Sequence, residues 1–172
     1  MHRCVWWTAG LAALAAAGTA WAAETFRLHS EGYGPVRVGM SVGQAQTALG
    51  GKLAPSDDSG PADGCWHLKA ASGHEGVTFM IQDGRVTRAS LYGEPSAVKT
   101  VSGAGLGDTE AAVRALYGDK LKSEPHAYGD AGDRYLTYWA RPHRGVRFEI
   151  VGGKVAAIHA GEDSIGYIEG CS

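Results

Sequence analysis

The hydrophobic and polar positions of this chain alternate with two different periods along the sequence. Apolar residues occupy every second position in residues 77–81 and again in residues 146–150, which predicts two half-buried strands. Apolar residues fall at helical spacing in residues 45–49 and 113–117, which predicts two short helices. The chain therefore combines helices with strands, and each type of pattern occurs twice.

Residues that cap helices mark the ends of the two helical segments. Ser41 and Thr109 are candidate N-caps, and Ser41 with Gln44 has the spacing of a capping box. Gly50 and Gly118 follow the helical patterns directly, so we expect each of them to end its helix in the left-handed conformation.

Tight turns extend each strand pattern into a meander. Asp83-Gly84 and Gly152-Gly153 predict hairpin turns that lead into further strands near residues 85–92 and 154–160. Two more strands are predicted to precede the hairpins, at residues 66–70 and 135–141. Each unit is thus predicted to contain one helix followed by three antiparallel strands.

An internal repeat relates the two units. Residues 38–53 align without a gap on residues 106–121, and residues 76–86 align on residues 145–155. Because the two blocks keep the same order and nearly the same offset, they predict two copies of one unit.

The repeat predicts the fold class and the domain organisation. A single unit of this size would bury too little apolar surface to be stable alone, so we expect the two copies to form one domain. The prediction is an α+β fold of two tandem helix-plus-antiparallel-meander repeats, residues 23–100 and 101–172, which share one sheet and carry their helices on one face.

The first residues have the order of a secretory signal peptide. A positive start at Arg3 is followed by an apolar run that ends near Ala17, and Ala20-Trp21-Ala22 fits the small-x-small cleavage rule. A retained membrane anchor is the rival interpretation, but a span needs about 20 apolar residues and this run is shorter and rich in alanine. We therefore predict a signal peptide at residues 1–22, cut near Ala22, and a protein that is periplasmic or secreted and does not span the membrane.

The charge balance bears on the class of partner. Removal of the signal peptide removes Arg3, so that 15 basic residues face 18 acidic ones and the net charge is −3. No basic cluster is present to bind phosphates, so we expect no nucleic-acid partner.

Cleavage also changes the number of cysteines. Cys4 is removed with the signal peptide, and Cys65 and Cys171 remain. An even pair in an oxidising compartment is most simply one disulfide. Two free thiols for metal or redox chemistry are the alternative, but such chemistry favours a closer Cys-x-x-Cys spacing.

The segment that opens the first helix resembles a known family. Val38-Gly-Met-Ser, followed by Gln-Ala and Leu-Gly, resembles the helix-opening motif of the small lipoprotein of the outer-membrane β-barrel assembly machine. Tandem duplication of such a unit resembles the secreted β-lactamase inhibitor protein fold, in which two helix-plus-sheet repeats form a concave face that grips an enzyme. The likeness covers residues 36–160 as architecture and implies a protein-binding role. The chain lacks the lipidated N-terminus of the first family, and no contact residue of the second is carried over.

The C-terminal residues 167–172 are similar to the ending of uncharacterised secreted bacterial proteins. That resemblance implies the compartment and the disulfide.

Catalytic and ligand motifs do not form a recognisable site in the sequence. Residues 103–107 lack the full glycine spacing of a phosphate-binding loop, which favours a helix-entry turn. Ser41 stands in a Gly-x-Ser-x-Gly sequence, residues 39–43, but it is assigned as the candidate N-cap of the first helix rather than as a nucleophile. Six histidines show no metal-ligand spacing: His29, His67, His74, His126, His143 and His159. We therefore expect a non-catalytic protein with no metal and no cofactor.

Aromatic residues on one predicted strand are the candidate partner-binding site. Tyr135, Tyr138 and Trp139 lie close together in the sequence with Arg141, and exposed residues of these types are typical interface anchors. The alternative is that all three rings pack in the core. Alignment of the two copies points Tyr135 and Trp139 inward, whereas Leu136 argues the reverse, and the sequence leaves the direction open.

Together these observations predict an exported, non-catalytic module that binds another extracytoplasmic protein and inhibits an extracytoplasmic enzyme such as a β-lactamase or lysozyme. Two alternatives stay open. The Gly-Met-Ser motif suggests a structural or assembly factor of the cell envelope, and the histidines suggest a small-ligand or metal-binding protein.

Overall fold

The computed structural model describes residues 26–56, 60–61, 64–70, 73–74, 76–93 and 96–171. The predicted signal peptide at residues 1–22 lies outside the described residues. The helices and strands, in chain order, are β1 (Leu28–His29), β2 (Gly32–Tyr33), β3 (Val36–Arg37), α1 (Val42–Leu49), β4 (Leu53–Pro55), β5 (Cys65–Ala70), β6 (Val77–Gln82), β7 (Arg85–Tyr92), α2 (Glu110–Tyr117), β8 (Leu121–Pro125), β9 (Arg134–Arg141), β10 (Arg144–Val151) and β11 (Lys154–Gly161). Short 3-10 helices lie at Gly118–Lys120 and Asp163–Gly166.

Two antiparallel sheets contain all of these strands. Strands β1–β3 form the smaller sheet, and the other eight form a sheet with the order β4-β5-β6-β7-β11-β10-β9-β8. The predicted α+β class and antiparallel pairing are confirmed. Each half of the larger sheet has four strands rather than the three predicted, because the short edge strands β4 and β8 add one to each half.

The helix ends follow the predicted caps with one exception. Ser41 Oγ accepts the backbone N–H of Gln44 at 3.3 Å while Gln44 Oε1 accepts that of Ser41 at 2.8 Å, which completes the capping box. Gly50 ends α1 in the left-handed conformation with φ 66° and ψ 21°. Gly118 was expected to do the same for α2, but its ψ is −146° and the chain continues into the 3-10 helix.

The two halves of the larger sheet hold their helices by equivalent backbone contacts. The N–H of Gly39 donates to the carbonyl of Val86 at 2.8 Å, and the N–H of Gly107 donates to the carbonyl of Val155 at 2.9 Å. The ladder between β6 and β7 shifts register after Met80, and the ladder between β10 and β11 shifts after Glu149. The equivalent contacts are observed, and the tandem duplication itself stays a prediction.

The core lies between the larger sheet and the elements that pack on one of its faces. Phe79 and Phe148 are fully buried on that face. The ring of Tyr117 in α2 packs on Phe148 with a centroid distance of 5.3 Å, and the ring of Tyr33 in the smaller sheet lies 6.4 Å from that of Phe79. The side chains that alternate with these core residues therefore point to the opposite face.

The two α-helices have eight residues each, and no helix in the described part of the chain combines the length and hydrophobicity needed to cross a membrane.

Candidate functional site

The face of the larger sheet that points away from α1 and α2 is here called the helix-free face. On this face the strand register places four pairs of side chains opposite one another: Met80 with Arg88, Ser90 with His159, His159 with Arg147, and Arg147 with Thr137. Polar and charged side chains thus occupy the centre of a sheet whose other face is apolar. The face is built by the strands β5, β6, β7, β11, β10 and β9.

A hydrogen-bonded network occupies the centre of the helix-free face. Nδ1 of His159 lies 2.9 Å from the hydroxyl of Ser90, and Nε2 lies 2.9 Å from Oε1 of Glu149. Burial is the largest influence on His159 and lowers its pKa, so the imidazole is neutral, accepts from Ser90 and donates to Glu149. Burial raises the pKa of the Glu149 carboxyl, but the hydrogen bond from His159 and the nearby His126 more than offset this, so that its pKa is below the ordinary value.

The order of serine, histidine and glutamate resembles the relay of groups that activates a nucleophile. Ser90 is only 2% exposed and His159 only 3% exposed, so no substrate atom reaches the Ser90 hydroxyl in this conformation. The network satisfies polar groups buried between strands, which stabilises one register at the centre of the sheet.

A second group of side chains extends the network toward β8. The guanidinium of Arg147 lies 3.9 Å from the centre of the Tyr135 ring, and its Nη1 donates to Glu124 at 3.1 Å. The imidazole of His126 stacks on the ring of Tyr135 at a centroid distance of 4.5 Å, and its Nε2 is 3.7 Å from Oε2 of Glu149. Tyr135 is thus enclosed between a cation and an imidazole.

Arg88 is a buried cation on the same face. Its side chain is 2% exposed, and burial lowers its pKa. Nη1 donates to the carbonyls of Ser164 and Tyr167 at 2.9 and 3.1 Å, while Nε has no hydrogen-bond partner among the described residues. No described carboxylate lies within ion-pair distance of the guanidinium, so the backbone carbonyls of the C-terminal segment carry its stabilisation.

Two segments lie over the helix-free face. The first, residues 162–171, is here called the strap, and it is joined to β5 by the Cys65–Cys171 disulfide that the sequence predicted. The second is the β8–β9 loop, residues 126–133, which is held by Asp133 through hydrogen bonds from the N–H groups of Asp130 and Gly152. The strap and the β8–β9 loop meet where the hydroxyl of Tyr128 donates to Glu169.

Exposed apolar side chains concentrate on this side of the molecule. Among the described residues, seven large apolar side chains are exposed, and five of them belong to the helix-free face or to the two segments that cover it. These five, which are between 41% and 71% exposed, are Tyr92, Tyr128, Val151, Tyr167 and Ile168. An apolar concentration of this kind on an otherwise polar surface is typical of a protein-binding site.

The four candidate partner-binding residues lie in different environments. Tyr135 is buried on the helix-free face, and Trp139 is half-buried on the same face. Tyr138 points to the core side, where its ring lies 5.1 Å from that of Tyr117. Arg141 is exposed and its Nη2 is 2.7 Å from Oε1 of Glu31. The structure therefore does not bring the four side chains together on one surface, and their role in binding stays a prediction.

Sequence reasoning missed the polar residues of the face, although the strand pattern contained a signal for them. Arg147 and Glu149 alternate with the core residues Val146, Phe148 and Ile150, so their position on the opposite face follows from the strand period. Their mutual contacts with His159 depend on the pairing of β10 with β11, which the sequence does not show.

The Gly-Met-Ser motif and the histidines were the basis of the two alternative functions. The N–H of Val86 donates to the carbonyl of Met40, and Ser41 caps α1, so the motif positions the start of the helix. Within the described residues, no group of three or more His, Cys, Asp or Glu side chains is arranged to hold a metal ion.

Comparison with known proteins identifies no relative: no family model, no curated protein and no solved structure matches this chain.

Proposed function

We propose that this chain is an exported, non-catalytic protein-binding module that docks an extracytoplasmic enzyme on its helix-free face and inhibits it. The observation that carries the proposal is the concentration there of exposed apolar side chains, three of them tyrosines. Tyrosine supplies a large rigid contact surface at low cost in conformational entropy, and it is enriched among the residues that dominate binding energies.

The distribution of these side chains favours a macromolecule as the occupant. Tyr92 belongs to β7, Val151 to β10, Tyr128 to the β8–β9 loop, and Tyr167 and Ile168 to the strap. A partner that contacts all four segments must span at least the three adjacent strands β7, β11 and β10, which lie about 5 Å apart from one another. The buried network beneath supports such a role because it holds the surface rigid, which lowers the entropic cost of binding.

The arrangement of the two halves supports the same proposal. Equivalent helix-to-strand contacts in both halves agree with a tandem duplication, which the sequence repeat predicts. Helices on one face of a shared sheet resemble the layout of the β-lactamase inhibitor family, in which two such repeats form a concave face that grips an enzyme. The resemblance suggests β-lactamases, and the wider class of extracytoplasmic hydrolases such as lysozymes, as the first enzymes to test.

Export is part of the proposal. The Cys65–Cys171 disulfide is compatible with an extracytoplasmic location. The charge, apolar run and small-residue site of residues 1–22 support a signal peptide cut near Ala22 and delivery to the periplasm or the medium.

Inhibition and binding by the purified protein test the proposal. It is titrated against a panel of β-lactamases and lysozymes, with residual hydrolysis and surface plasmon resonance as readouts. We expect a dissociation constant in the micromolar range or below for at least one enzyme. Tyr92→Ala and Tyr128→Ala should each weaken binding about tenfold or more, as for residues at the centre of an interface.

A matched control lies on the other side of the molecule. Leu116 is exposed on α2 to a similar degree as Tyr92, so Leu116→Ala should leave binding unchanged. Absence of binding to every enzyme of the panel, or binding that is insensitive to Tyr92→Ala and Tyr128→Ala, would overturn the proposal.

A further inference from the structure

The disulfide lies in the wall of an open groove. Cys65 and Cys171 line a surface groove of about 380 Å³ together with Gln82 and residues 167–170 of the strap. Both cysteines are half-buried rather than enclosed in the core. A thiolate from outside can approach a disulfide placed in this way, whereas a disulfide sealed in a core is inert.

An imidazole lies beside one of the two sulfurs. Nε2 of His67 is 3.9 Å from Sγ of Cys171. Gly170, at φ +69°, lets the strap pass closely over this imidazole, because a Cβ there would come within 3.0 Å of Cε1 of His67. A histidine next to a sulfur stabilises its thiolate form, which makes Cys171 the better leaving group of the pair.

The first part of the strap is held without the disulfide. Arg88 donates to the carbonyl of Ser164, and the hydroxyl of Ser164 donates to the carbonyl of Thr87 at 3.1 Å. Ile165 is 1% exposed. By contrast, residues 167–169 are exposed, and the disulfide is the covalent link that holds this end of the chain. Hydrogen bonds from Arg88 to the Tyr167 carbonyl and from Tyr128 to Glu169 also reach this end, but they are not covalent, so breaking the disulfide should loosen the end of the strap and leave the sheet intact.

We propose that the Cys65–Cys171 disulfide is a thiol–disulfide exchange site for a dithiol reductant and that the reductant attacks Cys65. Its thiolate bonds to Sγ of Cys65, the bond between the two Sγ atoms breaks, and Cys171 leaves as a thiolate beside His67. The second thiol of the reductant then attacks the reductant's first sulfur, which is bonded to Cys65 in the mixed disulfide, and Cys65 leaves as a thiolate. The dithiol ends as a disulfide, and two electrons and two protons have passed to Cys65 and Cys171.

The exchange changes the helix-free face. A Cβ on Gly170 would lie 3.8 Å from Nη2 of Arg88, so departure of this segment uncovers the guanidinium and the imidazole of His67. The redox state of the disulfide then sets the charge and shape of the docking surface, a consequence that rests on the proposed function. The exchange chemistry itself does not depend on any partner.

Two thiol probes test the site on the purified, folded protein. Dithiothreitol should reduce the disulfide without denaturant while the near-UV circular dichroism of the aromatic core is retained. Reduced glutathione, quenched with N-ethylmaleimide, should leave a mixed disulfide that peptide mapping places on Cys65 at least about fivefold more often than on Cys171. Hydrogen exchange should rise in residues 167–171 and stay unchanged in β7 and β11.

Matched substitutions isolate the role of His67. His67→Gln keeps a polar side chain but removes the imidazole, and should slow reduction about fivefold and abolish the preference for Cys65. His74→Gln, in the connection between β5 and β6, should change neither. A purely structural histidine would not alter which sulfur carries the adduct.

Three results would overturn the exchange site: reduction only under conditions that unfold the sheet, an adduct mainly on Cys171 in the unsubstituted protein, or equal behaviour of His67→Gln and the unsubstituted protein. The adduct position in the unsubstituted protein decides the direction of attack even if His67→Gln fails to fold. Failure to bind any enzyme would reject the proposed function and leave these results untouched.

Discussion

Nδ1 of His159 lies 2.9 Å from the hydroxyl of Ser90, its cross-strand neighbour, at the seam where the two halves of the eight-stranded sheet meet. The contact joins β7 of one half to β11 of the other. Because both side chains are buried, loss of this hydrogen bond would leave a polar group unsatisfied at the seam, which costs free energy. The protonation state of His159 therefore affects the stability of the whole domain.

Stability is expected to fall with acid because of this histidine. Burial lowers the pKa of His159 below its ordinary 6.5, so the unfolded chain binds a proton more readily than the folded one. The contribution of neutral His159 is present above pH 6.5 and is lost as the pH falls below it. Urea unfolding between pH 8 and pH 5 measures the effect. His159→Gln should flatten the profile, and a slope equal to that of the unsubstituted protein would contradict the prediction.

Arg88→Ala should destabilise the protein more than Arg88→Met. The alanine leaves a cavity and removes the donors to Ser164 and Tyr167, for an expected loss of about 3–5 kcal/mol in unfolding free energy. Methionine fills most of the space that alanine would leave empty, so its loss should be about 2 kcal/mol smaller. Chemical denaturation measures both, and hydrogen exchange should show a less protected strap in either variant. Equal losses would mean that the lost hydrogen bonds of the guanidinium, and not the cavity, account for the destabilisation.

Removal of the disulfide should lower the unfolding free energy without changing the fold. The bond joins residues separated by 106 positions, and loss of such a link costs about 2–5 kcal/mol, chiefly because the unfolded chain gains freedom. Denaturant unfolding of a Cys65→Ala, Cys171→Ala protein checks this value, with circular dichroism as the test of structure. A double variant as stable as the parent would show that the strap contributes its stability through Arg88 and the 3-10 helix alone.

Gly145→Ala should be costly because β10 approaches its neighbours closely there. A Cβ at this position would lie 2.6 Å from the carbonyl oxygen of Tyr138 and 2.8 Å from Cε3 of Trp139. We expect a loss of about 1–3 kcal/mol in thermal or chemical unfolding. Gly132→Ala is the matched control, since its Cβ would meet no atom within 4 Å, and it should change stability by less than about 0.5 kcal/mol. Similar losses at both sites would refute the steric explanation.

The strands and caps could be predicted because local chemistry decides them. The hairpins at Asp83-Gly84 and Gly152-Gly153 have positive φ at both turn residues, which the dipeptides themselves indicate. The capping box at Ser41 likewise needs only neighbours in sequence. Gly118 shows the limit of such reasoning, because the chain beyond it enters a 3-10 helix that leads into β8.

The local sequence could not decide which face of the sheet the aromatic side chains of β9 occupy. Leu136 lies opposite Phe148 and faces the core, so Tyr135 and Trp139 face the other side. The repeat alignment suggested the reverse because it was one residue out of register in this strand: Leu68, opposite Phe79, is the counterpart of Leu136. A shift of one residue moves every side chain of a strand to the other face, so pairing rather than composition settles the question.

By itself the sequence determined the α+β class, the position of the helices and hairpins, and the pair of cysteines that forms the disulfide. These features depend on side-chain period, turn residues and the number of cysteines, all of which can be read from the sequence without knowing how the strands pair. Only the tertiary structure decided that Ser90, Glu149 and His159 meet, that Arg88 lies beneath the strap, and that the exposed tyrosines share one side. Ser90 and His159 are 69 positions apart and Arg88 and Ser164 are 76 apart, so these contacts form only because the pairing of β7 with β11 joins the two halves in a single sheet.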